Sequence, residues 1–497
     1  MKTIVILEMA NNHMGSIAHA KKIIKKYNYI IPEFTNKIDF VLKFQYRDRE
    51  TFIHKNYKNS EDKYIKRFQS TFFSDKEWQK LIKFSKQYFR LACTPFDEVS
   101  VDKVFKEKFD YLKIGSCSVT DWPLIEYIYE KYKKKKKKII ASLGGLNEAD
   151  IIKVTSFFLN RKVDISFLYC VAKYPSHSNE LNLSFFNYLK KKYGEKIIGF
   201  SSHEDPEINI SPAVAYGAGV RIFEKHVGLE TKKIKLNKYT VSPDKLKIWL
   251  TNLCDAIEIW GSIDFRNKNL KKENMQLSLF KRGIYLNKNV KSGKNIIKSD
   301  LYFAFPSIKN QLTANNFQKF TSITNKKNLI KDSPLLFNDV KIIDNRSPVT
   351  KIRGKIRGLL NMAKITLPIN PKLEISHHYG LKNFYKYGTT IINVINHNYC
   401  KKLIIMLPGQ KHPPQFHKIK IESFFILYGS IDFVLDKKKY HLKTGDLKTI
   451  NRKQVHEFSS KKGAVIEELS TEHNKVDSYY LDKRIDKNKN RKSLIYL

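Results

Sequence analysis

The sequence predicts a (β/α)8 barrel over residues 1–265, followed by two smaller β-rich units over 277–342 and 357–482. Three observations carry this reading. Short apolar runs alternate with helical-period stretches eight times within the first 245 residues, as a (β/α)8 barrel requires. Nearly every run ends in a polar or reactive side chain, and in a barrel those ends converge on one mouth. Beyond residue 277 the pattern turns to short strands and glycine turns. A doubly wound open sheet competes, but no G-x-G-x-x-G follows the first run.

The runs, in order, are TIVILEMA (3–10), DFVLKFQ (39–45), FRLACT (89–94), DYLKIGS (110–116), KIIASLG (138–144), ISFLYCV (165–171), IIGFSSH (197–203) and VRIFEKH (220–226). Between them lie stretches such as SIAHAKKIIKKY and DKEWQKLIKFSKQYF, with apolar residues at i, i+3 and i+4. Residues 246–276 read as a helix and then a charged linker. The small unit opens with RGIYLNKNVKSGKNIIKSDLYFAFP: strand, turn at Gly293, strand, short helix. DNRSPVTKIRGKIRG reads as a basic linker. KLIIMLPGQ, ESFFILYGSIDFVLD, KKYHLKTGDLKTI and AVIEELST then suggest a double-sheet jelly roll. The last 15 residues are mostly charged and are expected to fray.

A formal charge of +44 first suggests nucleic acid. The lysines are spread along the whole chain rather than clustered with aromatics, which argues against that class. The run of six lysines at 133–138 falls where a helix C-terminus turns into a strand, a place where cations suit the helix dipole. No stretch of about 18 apolar residues occurs, so no membrane span is expected. The N-terminus lacks a signal-peptide pattern. Five scattered cysteines (93, 117, 170, 254 and 400) without C-x-x-C spacing fit a reducing, cytoplasmic location.

The run ends supply the chemistry. His203 and His226 close adjacent strands, where two neutral imidazoles can hold a divalent metal with positions left open. Glu8, Glu224 and Lys225 offer acid–base or supporting groups. Lys43 and Lys113, with Thr94, Ser116, Ser142 and Ser201, make a cationic, hydroxyl-rich cup suited to a small polyanion. These groups suggest a metal-dependent enzyme acting on a phosphorylated acid.

EMANNHMGS, KFQ, TPFDE, YLKIGS, ASLGG, CVAKYP, FSSHED and FEKH stand in the order and spacing of the sialic acid synthase family, which the first domain resembles throughout. RGIYLNKNVKSGKNIIKSDL resembles the antifreeze-protein-like (SAF) domain that follows the barrel in that family. The resemblance implies condensation of phosphoenolpyruvate with an N-acetylated aldose to a nonulosonic acid, with release of phosphate. It implies that His203 and His226 hold manganese, with magnesium or cobalt as alternatives. It also implies that Lys43, Thr94, Lys113, Ser116, Ser142 and Ser201 clamp phosphoenolpyruvate, with Glu8 as acid–base group and Glu224 as supporting carboxylate. Asn12, Gln45 and Tyr174 would face the sugar, and Arg282 would reach the partner's site in a domain-swapped homodimer. Ser118, Ser202, Ala172 and Asn237 depart from the family pattern on the sugar side, so an acceptor other than N-acetylmannosamine is expected.

PGQKHPPQFHKIKIESFFILYGSIDFVL and GDLKTINRKQVHEF resemble a cupin. His417, Glu422, Gly429 and His456 fall on the cupin pattern, but Gln415 stands where its first histidine belongs, with His412 three residues earlier. The resemblance implies a second divalent metal at Gln415, His417, Glu422 and His456, weakened by the amide. His377 and His378 read as a polar entrance or a fold feature. The competing function is a cupin-type sugar isomerase or sugar-binding module on a degenerate barrel.

Overall fold

The computed structural model describes residues 2–318, 321–344, 347–474, 476–488 and 491–497. Its first unit spans Met1–Leu270 and its second Lys271–Leu497.

The first unit is a closed barrel of eight parallel strands: β1 (Thr3–Glu8), β2 (Ile38–Tyr46), β3 (Arg90–Pro95), β4 (Tyr111–Ile114), β5 (Lys138–Ser142), β6 (Ile165–Cys170), β7 (Ile197–Ser202) and β8 (Ile222–His226). The open-sheet alternative is thereby excluded. Side chains alternate between two cores, as a period of two demands. Ile6, Val41, Ala92, Tyr111, Ile140, Leu168 and Ile222 fill the barrel interior. Val5, Leu7, Leu42, Phe44, Phe200 and Phe223 face outward, into the larger core shared with the helices. Gly199 is where the interior layer closes: a Cβ there would stand 2.5 Å from Leu168 Cγ.

The lysine run behaves as a helix terminus. The helix Trp122–Lys134 ends there and β5 begins at Lys138. Lys135 Nζ donates to the Phe105 carbonyl at 3.0 Å, and Lys137 Nζ donates to that of Phe109.

Two linkers are helices instead. The charged segment after Pro243–Trp260 continues as the helix Ile263–Ser278. The basic linker forms Ser347–Met362, although its Asn345 and Arg346 lie outside the described residues. Ile352, Ile356, Leu359 and Leu360 repeat at helical spacing and are buried in one face, which explains the helix.

In the second unit, Gly283–Leu286 pairs with Leu301–Ala304, and Asn295–Ile296, Thr321–Asn325 and Val340–Asp344 form a three-stranded sheet. These elements share a small core of Ile284, Leu286, Leu312, Ile323, Leu335 and their neighbours. The C-terminal part is a curled antiparallel sheet of eleven strands, built around the long strand Glu422–Leu435. The end of the chain is not frayed. Lys483–Lys487 is a helix, and Lys492–Tyr496 pairs antiparallel with Lys372–His377. Backbone hydrogen bonds along an open sheet edge outweigh the charge of this tail.

Lys225 alternates to the outer side of β8, as period two predicts, yet it is fully buried. Its Nζ meets Glu204 Oε1 at 2.8 Å, and Glu204 Oε1 accepts a second bond from Ser211 Oγ at 2.7 Å. Lys225→Met should therefore destabilise the barrel by about 3–5 kcal/mol, because it strands the Glu204 carboxylate without water or partner. The double replacement with Glu204→Met should recover most of this, as read by calorimetric unfolding of the three proteins. Equal loss in single and double variants would show that the pair is not the cause.

Candidate active site

Register decides which side chains meet at the barrel mouth. β1 pairs so that Glu8 stands opposite Lys43 on one side and His226 on the other. Ser201 stands opposite Glu224, and Gln45 opposite Thr94. The last inward-facing positions of neighbouring strands therefore lie at one level, and all point into a cavity of about 530 Å³.

Its floor is a chain of buried charges. Lys43 Nζ forms an ion pair with Glu8 and lies 3.2 Å from Glu224 Oε2 and 3.2 Å from Thr94 Oγ1. Lys113 Nζ lies 3.5 Å from Glu224 Oε1 and donates to Ser142 Oγ at 2.8 Å. Ser201 Oγ donates to Glu224 Oε1 at 3.0 Å. Burial favours the neutral carboxyl at Glu224, but Lys113 and Lys43 outweigh it and hold the group well below the usual range. At Glu8 burial wins: Lys43 opposes it, Glu224 reinforces it, and the carboxyl is pushed upward. Burial also pulls Lys113 down, although Glu224 resists. Glu8 is thus the carboxyl better able to carry a proton, and Glu224 the one that stays ionised.

His203 and His226 stand side by side, with ring centroids 5.2 Å apart. Burial lowers His203 to about 4, and drives His226 well below the ordinary imidazole range. Both rings are therefore neutral near pH 7, the form that ligates metal. Tyr174 packs on His203 at 4.3 Å and Tyr239 on His226 at 5.1 Å, which fixes the pair. Two neutral imidazoles facing a polar cavity fit a divalent cation with open positions.

Of the residues expected here, Glu8, Lys43, Gln45, Thr94, Lys113, Ser116, Ser142, Tyr174, Ser201, His203, Glu224 and His226 all line this cavity. Asn12 does not. Its Nδ2 donates to the Val227 carbonyl at 2.8 Å, which ties the loop after β1 to the end of β8, and Asn11 reaches the cavity instead. Arg282 belongs to the second unit, is exposed, and its guanidinium lies 6.0 Å from the Phe303 ring centre. Among the departures from the family pattern, Ala172 lines the cavity, whereas Ser118 and Ser202 are buried. Arg47, Tyr64, Arg67 and Tyr239 also line it and were not anticipated from the sequence, because they stand on loops and a short helix beyond the strand ends.

A second cluster sits in the cupin sheet. Glu422 Oε1 lies 3.2 Å from His456 Nε2 and 3.5 Å from His417 Nε2. Gln415 Nε2 is 3.2 Å from His456 Nε2. The carbonyl of Asp477 faces His417 Nδ1, and that of Gln454 lies 3.3 Å from His456 Nδ1. With Nδ1 donating to a carbonyl on each ring, both Nε2 lone pairs converge on Glu422. His417 Nε2 and Glu422 Oε1 are buried and lack hydrogen-bond partners, which is the arrangement a cation resolves. Lys420 holds the other oxygen of Glu422 at 2.5 Å and also pairs with Glu468 at 2.8 Å. His412 stands aside, stacked on Phe458 at 4.6 Å. His378 is a fold feature, with Nδ1 2.7 Å from the Tyr387 carbonyl.

Residues 34–263 match the NeuB family, and residues 402–468 match the cupin domain. Over 329 residues the chain is 26% identical to pseudaminic acid synthase of Campylobacter jejuni, covering 62% of this chain and 88% of that protein. It is 27% identical over 345 residues to N,N'-diacetyllegionaminic acid synthase of the same species, covering 67% and 98%. The solved structure of a Chromobacterium violaceum protein assigned as spore coat polysaccharide biosynthesis protein E is 36% identical, with a TM-score of 0.63; the match covers 68% of this chain and all of that one. The barrel, the groups at its mouth and these matches together show that the chain belongs to the NeuB family, extended by a C-terminal cupin domain.

Proposed function

We propose that the chain condenses phosphoenolpyruvate with an N-acetylated aldose to form a nonulosonic acid and release inorganic phosphate. The observation that carries this reading is the single cavity in which a Lys43–Lys113 anion cup faces two neutral imidazoles. Relatives named as synthases of pseudaminic and diacetyllegionaminic acid support the product class.

Lys43 and Lys113, with the hydroxyls of Thr94, Ser116, Ser142 and Ser201, hold the carboxylate and phosphate of phosphoenolpyruvate. His203 and His226 would hold a divalent cation, manganese in this reading, which supplies Lewis-acid polarisation of the open-chain aldehyde. The C3 carbon of phosphoenolpyruvate bonds to the aldehyde carbon, whose oxygen takes a proton and becomes a hydroxyl. Glu8, raised by burial, is the proton carrier for that step. Water adds at C2, and phosphate leaves with its bridging oxygen as the C2–O bond breaks. Glu224 stays ionised throughout and keeps both lysines aimed. Proximity within one rigid mouth supplies much of the rate. Gln45 and Tyr174 face the acceptor. The small unit over 277–342 would act as the SAF domain, presenting Arg282 to the partner's site in a domain-swapped dimer.

The converging lone pairs of His417 and His456 favour a second divalent cation in the cupin, held with Glu422 and weakly with Gln415. They also support a second reading, in which the cupin is a sugar isomerase or sugar-binding module and the barrel is inactive.

A phosphate-release assay with phosphoenolpyruvate, manganese and a panel of N-acetylated aldoses separates these readings. His226→Ala should lower turnover by about 100-fold or more, while His456→Ala keeps it. Loss confined to His456→Ala would overturn the synthase assignment. Metal analysis of the purified protein should find two divalent ions per chain, and one in each of the two variants. A single ion, lost only in His226→Ala, would remove the cupin site.

A further inference from the structure

Arg47 follows the end of β2 and extends a face that already carries Lys43 and Gln45. At the usual strand rise its Cα stands about 13 Å beyond that of Lys43, out toward the rim. Its guanidinium carbon lies 3.8 Å from the ring centre of Phe96, 4.2 Å from that of Phe68 and 5.5 Å from that of Phe52. Three aromatic faces hold the group flat and strip water from it. Nη1 donates to Gln45 Oε1 at 3.0 Å, whereas Nε is buried without a hydrogen-bond partner.

Among the described residues no carboxylate pairs with Arg47 within salt-bridge distance. Two carboxylates whose field reaches it are committed elsewhere. Asp97 accepts from the backbone of Asp48 and Ser100 and from the Ser100 hydroxyl, and Glu8 pairs with Lys43. Arg67, on the helix Lys63–Ser70, lines the same cavity and likewise has no carboxylate partner among the described residues. A smaller recess opens beside Arg47, walled by Phe72, Phe73 and Trp78.

A desolvated guanidinium with most of its five donors unused is costly unless an anion arrives with the ligand. The anions of phosphoenolpyruvate already have the deeper cup of lysines and hydroxyls. We propose that Arg47, assisted by Arg67, selects an acceptor aldose that carries an anionic group, a phosphate ester or a carboxylate, at the end distal from its aldehyde. This rests on the synthase reading and names the substrate class of the same site.

The full-length chain is assayed with phosphoenolpyruvate, manganese and three acceptors. These are a neutral N-acetylhexosamine, its 6-phosphate and the corresponding N-acetylhexosaminuronate, and the last two distinguish the sources of the charge. One anionic acceptor should show a kcat/KM about 10- to 100-fold above the neutral sugar. Arg47→Gln should abolish that preference with the KM for phosphoenolpyruvate within about two-fold, and Arg47→Lys should restore only part of it. Unchanged thermal unfolding checks that both variants fold. A neutral sugar used equally well, or an Arg47→Gln loss shared with phosphoenolpyruvate, overturns the inference. Calorimetric titration of the same sugars into the phosphoenolpyruvate-loaded enzyme separates it from the function itself. Selective anion binding without turnover would keep the inference and discard the synthase reading, whereas equal or absent binding would discard the inference.

Discussion

Glu8, Lys43, Glu224 and Lys113 form an unbroken alternation of charge at the barrel mouth, nearly cut off from water. Each ion is tolerable only because its neighbours are in place, since desolvation alone would cost several kcal/mol per group. The four residues come from β8, β1, β2 and β4, so the alternation survives only in one parallel register. A slip of one residue would turn each of these side chains into the outer core. The same closure that buries the apolar interior therefore sets the chemistry above it.

The alternation also divides labour between two similar carboxyls. Glu224 touches two lysines and a serine hydroxyl, and remains an anion. Glu8 shares a single lysine and suffers the field of Glu224, so its proton is held more tightly. Two acids a few ångströms apart thus acquire opposite preferences without any difference in residue type. The imidazoles beside them are kept neutral by burial, which separates a cation-binding wall from an anion-binding floor within one cavity.

Much of this was legible in the sequence because strand period is strict. Eight runs with reactive ends implied a mouth, and FEKH implied that Glu224 and His226 share a face while Lys225 does not. Loops obey no such period, which is why Asn12 was expected in the cavity that Asn11 reaches. Arg47 could have been found, since it continues the Lys43, Gln45 spacing by one more step; the strand's apparent end hid it. The helix Ser347–Met362 was masked by its arginines and lysines, although Val349, Ile352, Ile356 and Leu359 carry a helical repeat. The strand Lys492–Tyr496 had no signal of its own, because its pairing is decided by an edge more than a hundred residues earlier.

The Lys225–Glu204 pair lies one residue from each imidazole, on the side away from the cavity. Neither member touches the reacting space, yet neither can drift by itself, because a single change leaves a bare charge in the outer core. The chain has otherwise accumulated lysine almost everywhere its surface allows. At these two positions replacement must be simultaneous or not occur. The pair thus acts as a ratchet on sequence change, shielding the spacing of His203 and His226 from the compositional pressure felt by the rest of the molecule.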